Sequence, residues 1–413
     1  MKLKNIFALG MAASALASTT SSCSDDFLTN PPQGTLSDGQ MEDPEAVDLL
    51  INAAYASFGC RYANSNDPHL FPLTNWSFGE VRSDNAYKGG GGTGDLWEVH
   101  AMETFTILPN NGFLDGKWFN VYCGISRCNS ALRAIRNLDD SNSSKAVRFA
   151  EISVIRAHWY FELVRHFNRI PYMDLDLKEA EYVNVRNDEF TRAQHLARIA
   201  SELMEAARTL PDYQDEIGRI NRRMALAYAA KVKLYQAYEQ DPQTNAVINI
   251  DKTLMQEVVD IIDGLQGYDL LSDFQDLDKL EYENGSESVF AVQFSKDDTS
   301  GGAGRVNWSM LLNSMQGDNC PWAGDGFFLP SQDLINAYQT DENGLPVFDY
   351  QSRPDYAAVE SYEVTRDADG NEVKNPDGSN AYTFRISNTS PSVDPRLDFV
   401  VGRPTIRYKT YAD

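Results

Sequence analysis

Six tryptophans occur in the chain, and four of them stand outside helical stripes beside short polar side chains. Asn75-Trp76-Ser77 and Asn307-Trp308-Ser309 each set an indole next to an amide, and Trp322 stands three residues before Asp325. Asp84-Asn85-Ala86-Tyr87 leads into the glycine run 89–92 and then Trp97. Such pairings suit carbohydrate. Sugars offer apolar C–H faces that stack on aromatic rings and hydroxyls that pair with Asn and Asp. The expected ligand-binding set is therefore Trp76, Trp97, Trp308 and Trp322, with Asn75, Asp84, Asn85, Asn307 and Asp325. It is expected to converge from two distant loop regions onto one exposed face. The competing role for each indole is that of a core anchor holding a long loop down. Trp118 and Trp159 recur on helical stripes and belong to the core.

Other constellations carry less chemistry. His158, Glu162 and His166 lie four apart on one helix face, but they lack the His-Glu-x-x-His spacing of a helical zinc site. Asp367-x-Asp369-x-Asn371 begins like a calcium loop, yet Glu372 stands where Gly is required and Gly378 where the bidentate Glu belongs, so a turn is expected. The run 89–94 lacks the Gly-Lys-Ser/Thr ending of a phosphate loop, and no Gly-x-Ser-x-Gly elbow occurs. With 60 acidic side chains, chance carboxylate pairs are inevitable, so spacing alone cannot argue a glycosidase dyad. The expectation is no catalytic residue, no metal and no cofactor. Beyond Cys23 the cysteines are Cys60, Cys123, Cys128 and Cys320, too few for a disulfide scaffold. Cys123 and Cys128, five apart on a helix, point in different directions and make a poor bridge.

The first residues bear on where this chemistry operates. Lys2 and Lys4 precede a short apolar stretch, 6–17, too short to span a bilayer and typical of an export signal. Small residues then lead to Cys23, with Thr20 where lipoprotein signals usually carry Leu, Val or Ile. Cys23 is expected to become the lipid-bearing first residue, anchoring the chain without spanning the membrane. The formal net charge is −24, which disfavours nucleic acid and anionic membrane surfaces as partners.

Periodicity sets the elements that must position the candidate residues. Residues 1–22 read as signal peptide and 23–40 as a polar tether. Asp43 can cap a helix that begins at Pro44 and carries Val47, Leu50, Ile51, Ala54 and Phe58 on one stripe. Further helices are expected at 117–137, 144–167, 191–210, 221–239 and 254–265. Thr191 and Gln194 form a capping box, and the fifth helix is rich in Ala and Tyr. Successive amphipathic helices with short links indicate stacked helix pairs of tetratricopeptide type over 41–267, interrupted by a ligand-loop insertion near 60–115. From 268 to 413 the character changes to a loop-rich region. A strand is expected at 288–294, a long loop at 300–328, and a hairpin pairing 362–364 with 382–384. The fold class is mainly α, a tetratricopeptide-like helical array followed by a loop-rich second region with short strands and hairpins.

Several of these segments resemble the SusD/RagB family, the surface lipoproteins of Bacteroidetes nutrient uptake. Cys23-Ser24-Asp25-Asp26-Phe27-Leu28 followed by Pro31 resembles the family's mature start and its surface-export signal. The most specific segment is Ile155-Arg156-Ala157-His158-Trp159-Tyr160-Phe161-Glu162-Leu163-Val164-Arg165-His166-Phe167 with Ile170-Pro171. Segments 118–129, 225–238, 287–294 and Asp394-Pro395-Arg396-Leu397 add to it in the family's order. The resemblance implies a non-catalytic, outer-membrane, lipid-anchored binding protein exposed on the cell surface. It would capture an oligosaccharide, or in some members a peptide, and pass it to a SusC-like TonB-dependent transporter. A surface glycoside hydrolase or a helical scaffold protein is the rival class. Members of the family continue past the Asp-Pro-Arg segment into further helices, so this chain, ending at Asp413, is expected to lack them.

Overall fold

The computed structural model describes residues 44–58, 75–293, 325–356, 358–388 and 392–402. Cys23, Cys60, Cys320, Trp308, Trp322 and Asn307, like the Asp43 cap, lie outside the described residues.

The frame is a succession of helices, each laid against the next. Helix α1 (Pro44–Ala56) packs on α3 (Gly112–Asn137) and α4 (Lys145–His166). Helices α5 (Arg192–Thr209), α6 (Arg222–Ala237) and α7 (Lys252–Asp263) then follow, each packed on the one before it. Their starts are written locally. Asn111, Thr191, Asn221 and Asp251 each accept backbone N–H bonds with a side-chain oxygen, and Thr191 with Gln194 closes the reciprocal capping box. One large apolar core runs through the array, and Trp159, Tyr160 and Phe161 of α4 are wholly buried in it.

Close helix approach depends on a single small residue. A Cβ at Gly124 of α3 would lie 2.7 Å from Trp159 Nε1 of α4, so glycine is what admits the indole. The same Nε1 donates to Ser57 Oγ at 2.9 Å, which ties the end of α1 into the pair. Tyr160 stacks on Tyr172 with ring centroids 4.3 Å apart.

Strands are few and short. The expected hairpin forms: β5 (Ala358–Val364) pairs antiparallel with β6 (Tyr382–Asn388), with Val364 opposite Tyr382. Within it Asp367 accepts N–H bonds from Asp369 and Asn371, so the calcium-like spacing builds a turn. A second hairpin, β2 (Tyr238–Gln240) with β3 (Val247–Ile250), joins α6 to α7.

The expected strand at 288–294 is corrected. Its described residues, 288–293, adopt no strand, because their apolar side chains serve the helical core instead. Phe290 meets Phe58 and Tyr228 edge-on at 6.1 and 6.2 Å. Cys123 and Cys128 are free thiols, and burial pushes the Cys128 thiol up to about 12.

Candidate functional site

The segment before α3 folds around a small core of its own. Trp76, Val81, Val99, Met102, Phe113 and Phe327 are buried together, and Trp76 is only 3% exposed. Its ring packs on Phe327 and Phe328 at 5.9 and 6.3 Å. Strand β1 (Ala86–Gly89) pairs antiparallel with β4 (Phe327–Pro330), with Tyr87 opposite Leu329 and Gly89 opposite Phe327. A distant part of the chain is thereby brought to this segment. Gly90 donates to the Gly326 carbonyl at 2.8 Å, and Ser331 N–H donates to the Asn85 carbonyl at 3.0 Å. The Ser331 hydroxyl bonds the Asp84 carbonyl.

This pairing decides how the expected residues fall. Asp84 and Asn85, just before β1, and Asp325, just before β4, are all exposed, at opposite ends of the antiparallel ladder. Trp97 is the first residue of a short helix, α2 (Trp97–Glu103), and half of it faces solvent, at 51%. Trp76 takes the anchoring role, with both neighbouring rings covering it. Asn75 also turns inward: its Oδ1 accepts from Lys117 Nζ at 2.9 Å, and its Nδ2 donates to Glu162 at 3.3 Å. The structure thus sets Asp84 and Asn85 at one end of the strand pair and Asp325 at the other, and turns Asn75 and Trp76 into its floor.

That floor rests on a buried ionic cluster. Lys117 of α3 and Glu162 of α4 form an ion pair at 3.0 Å with both side chains almost fully enclosed, and Arg165 closes on the other carboxylate oxygen. Burial alone would raise the Glu162 pKa, but Lys117, His158 and Arg165 outweigh it and hold the carboxyl well below the usual carboxylate range. Burial, with Glu162 opposing it, lowers the Lys117 pKa. His158 and His166 are each brought down to about 4, mainly by burial. His158 Nδ1 meets the Tyr228 hydroxyl at 2.8 Å and His166 Nδ1 the Glu162 carbonyl at 2.6 Å. The His158–Glu162–His166 stripe is therefore engaged by protein partners. Among the described residues, no group of three His, Cys, Asp or Glu side chains is placed to hold a metal ion.

Lys88 fixes the glycine run. It is 2% exposed, and its ammonium donates to the carbonyls of Gly89, Gly92 and Asp95 at 2.7, 2.8 and 2.6 Å. Three oxygen acceptors compensate much of the desolvation of a buried cation, and burial lowers its pKa. The turn leading to Trp97 is thus cinched to β1.

Sequence reasoning left two aromatic side chains out of the expected set. Tyr87 is 50% exposed on β1, and Phe105 is 68% exposed just after α2 with the Arg82 guanidinium 5.5 Å from its ring centroid. Tyr87 is turned outward between buried Ala86 and buried Lys88, an alternation that the sequence Ala-Tyr-Lys does not show. Nothing in the sequence marks Phe105, whose φ of 57° lies in the left-handed region. Leu96 and Phe328 share that conformation, at φ 50° and 59°. Three non-glycine residues of this kind, each costing about 1–3 kcal/mol, gather in one small subregion, as happens where ligands bind.

Comparison with known proteins agrees with the helical fold. Residues 79–234 match the SusD-like family described as "Starch-binding associating with outer membrane". A SusD-like protein P2 from Formosa agariphila is 27% identical over 311 residues, 74% of this chain and 56% of the relative. A SusD-like protein from Bacteroides ovatus is 24% identical over 277 residues, 66% of this chain and 47% of the relative. The chain thus spans about half the length of the curated relatives it matches. Among solved structures, the surface glycan-binding protein A from Bacteroides thetaiotaomicron in complex with laminarihexaose superposes with a TM-score of 0.59 at 20% identity. It covers 72% of this chain and 61% of that one. A laminarin-binding SusD-like protein gives a TM-score of 0.58 at 22% identity over 71% and 64% of the two chains.

Proposed function

We propose, from the premise that the chain is a SusD-like protein, that it binds an oligosaccharide at the face carried by β1, β4 and α2 and performs no chemistry on it. The observation that carries this reading is the β1–β4 pairing, which presents exposed Tyr87 on the ladder with exposed Asp84 and Asn85 at one end and exposed Asp325 at the other. Asp84, Asn85 and Asp325 supply hydroxyl partners, and Tyr87 and Trp97 supply stacking faces. Trp308, Trp322 and Asn307 belong to the proposed platform on sequence grounds. The laminarihexaose bound by the superposed glycan-binding protein supports carbohydrate as the ligand class.

The wider setting is part of the same proposal. Cys23 carries the lipid, the protein is displayed on the outer membrane, and its ligand passes to a SusC-like TonB-dependent transporter. Among the described residues no helix is long and apolar enough to cross a membrane; the lipid on Cys23 is proposed on sequence grounds.

Incubating the purified protein with a panel of oligosaccharides and peptides tests the reading. Saturable binding of a glycan without products supports it, and release of shorter sugars overturns it in favour of a hydrolase. Recovery with a transporter barrel from native membranes in mild detergent tests the hand-off, and consistent recovery alone contradicts it.

A further inference from the structure

Lys88 stands where the three elements of the β1–β4–α2 face meet. It lies on β1, and its Nζ sits 5.2 Å from the ring centroid of Phe327 on β4. It is also bonded at both ends of α2. The ammonium donates to the Asp95 carbonyl, two residues before Trp97, at 2.6 Å. The backbone N–H donates to Oε1 of Glu103, the last residue of the helix, at 2.9 Å. The remaining ammonium protons go to the Gly89 and Gly92 carbonyls. All three side-chain donors are therefore spent on the backbone that leads from Tyr87 to Trp97.

Helix α2 needs such support. It has seven residues and no side-chain cap, and Leu96 at its N-cap is left-handed at φ 50°. A helix this short is marginal on its own. The turn before it is pinned elsewhere as well. The Asp95 carboxylate accepts Gly91 N–H at 2.8 Å, and a Cβ on Gly89 would collide with the Gly326 carbonyl of the chain entering β4. Val99, Met102 and Phe327 already fill the small core with apolar contacts. A buried ammonium adds a desolvation cost that an apolar side chain of similar length would avoid. What the ammonium contributes is the fixed geometry of the turn and helix that carry Trp97.

We propose that Lys88 is the positioning residue of the glycan face: it holds α2 at both ends and so fixes the Trp97 ring relative to Tyr87 before a ligand arrives. The proposal rests on the reading of that face as the binding surface. A ring held in place in advance loses less freedom on binding. Affinity should therefore depend on Lys88 although its own side chain is enclosed.

Hydrogen-exchange mass spectrometry and glycan-binding isotherms of the full chain test it. Lys88→Met should speed exchange over 89–103 by about tenfold or more and leave that of α4 unchanged. It should also weaken glycan binding by about tenfold or more. In a Trp97→Ala background there is no ring to position, and the same substitution should cost less than about twofold further. A role in overall stability alone would cost the same in both backgrounds. Glu103→Ala releases the last residue of α2 from β1 without emptying the core and should give the same pattern, which keeps the test decisive if Lys88→Met fails to fold. Unchanged exchange around α2, parent-like affinity in the variants, or equal losses with and without Trp97 would overturn the proposal. A parent that binds no glycan would overturn the reading of the face itself, an outcome told apart from these because exchange over 89–103 still responds to Lys88→Met.

Discussion

Tyr87 and Leu329 face each other across the β1–β4 ladder, each with side chain exposed to solvent, at 50% and 37%. This pair joins the segment after the small core's first turn to one nearly three-fifths of the chain further on. Exposed side chains from both segments are placed by the backbone ladder above the shared core of Trp76 and Phe327. A binding surface can then vary in side chain while the ladder stays.

Trp97 and Trp76 should separate cleanly in experiment. Trp97→Ala removes a half-exposed ring and should leave the melting temperature within a few degrees of the parent. Its loss of glycan affinity should be about 1–3 kcal/mol, by analogy with aromatic stacking on nucleobases. Trp76→Ala empties a buried site and should destabilise by about 3–5 kcal/mol. Thermal melts and binding isotherms of the two variants check this.

The buried Lys117–Glu162 pair should be costly to break from one side. Lys117→Met leaves the enclosed Glu162 carboxylate with Arg165 as its remaining ion pair and Asn75 as a neutral donor, and should lower stability by about 3–5 kcal/mol. Adding Glu162→Gln should recover part of that loss, since the uncompensated charge is gone. Urea denaturation of parent, single and double variants gives the coupling.

Acid should destabilise the fold before the carboxylates titrate. His158 and His166 have folded pKa values of about 4 against an ordinary 6.5, so the unfolded chain takes up their protons first. Stability is therefore flat above about pH 6.5 and falls as pH drops toward 4, by up to about 1.4 kcal/mol per pH unit for each histidine. Glu162, whose folded pKa is depressed, adds a further loss below the ordinary carboxylate range. Denaturation at a series of pH values measures the slope, and His158→Gln should flatten it.

Gly124 should not tolerate a side chain. Gly124→Ala places a Cβ 2.7 Å from Trp159 Nε1, forcing α3 and α4 apart or turning the indole from Ser57. Despite alanine's better helix propensity, a net loss of about 1–3 kcal/mol is expected. A stabilised variant would show that the helix pair can widen freely.

The long helices were legible because caps and stripes agree, as at Thr191 with Gln194 and along Leu196, Ile199 and Leu203. Their ends fell within a few residues of expectation, except that α3 starts at Gly112 instead of 117, where the Asn111 cap was not recognised. Helix α2 was not legible, since it has seven residues and no side-chain cap, and follows Leu96 at positive φ. The run at 288–293 carried a strand-like composition because Phe290 and Val292, partly buried, pack against the helical core, and packing on a helical face selects the same β-branched and aromatic residues. At the site, an amide beside a tryptophan looks alike whether it meets a sugar or an ion. Only the folded structure shows that Asn75 is occupied by Lys117 and Glu162. Strand β1 spans four residues and its partner lies far along the chain, so its pairing left no local signal.

Display at the surface should depend on Cys23. Cys23→Ala should release the protein from the membrane fraction of cells that otherwise retain it. Unchanged fractionation would remove the lipid anchor from the account.

The most direct measurement is the binding isotherm of the full chain against a panel of oligosaccharides that includes laminarihexaose, set beside the Tyr87→Ala/Trp97→Ala double variant. The account predicts saturable binding of at least one glycan by the parent without products, and affinity weakened by about tenfold or more in a double variant that melts like the parent. A double variant that binds as tightly as the parent would contradict it.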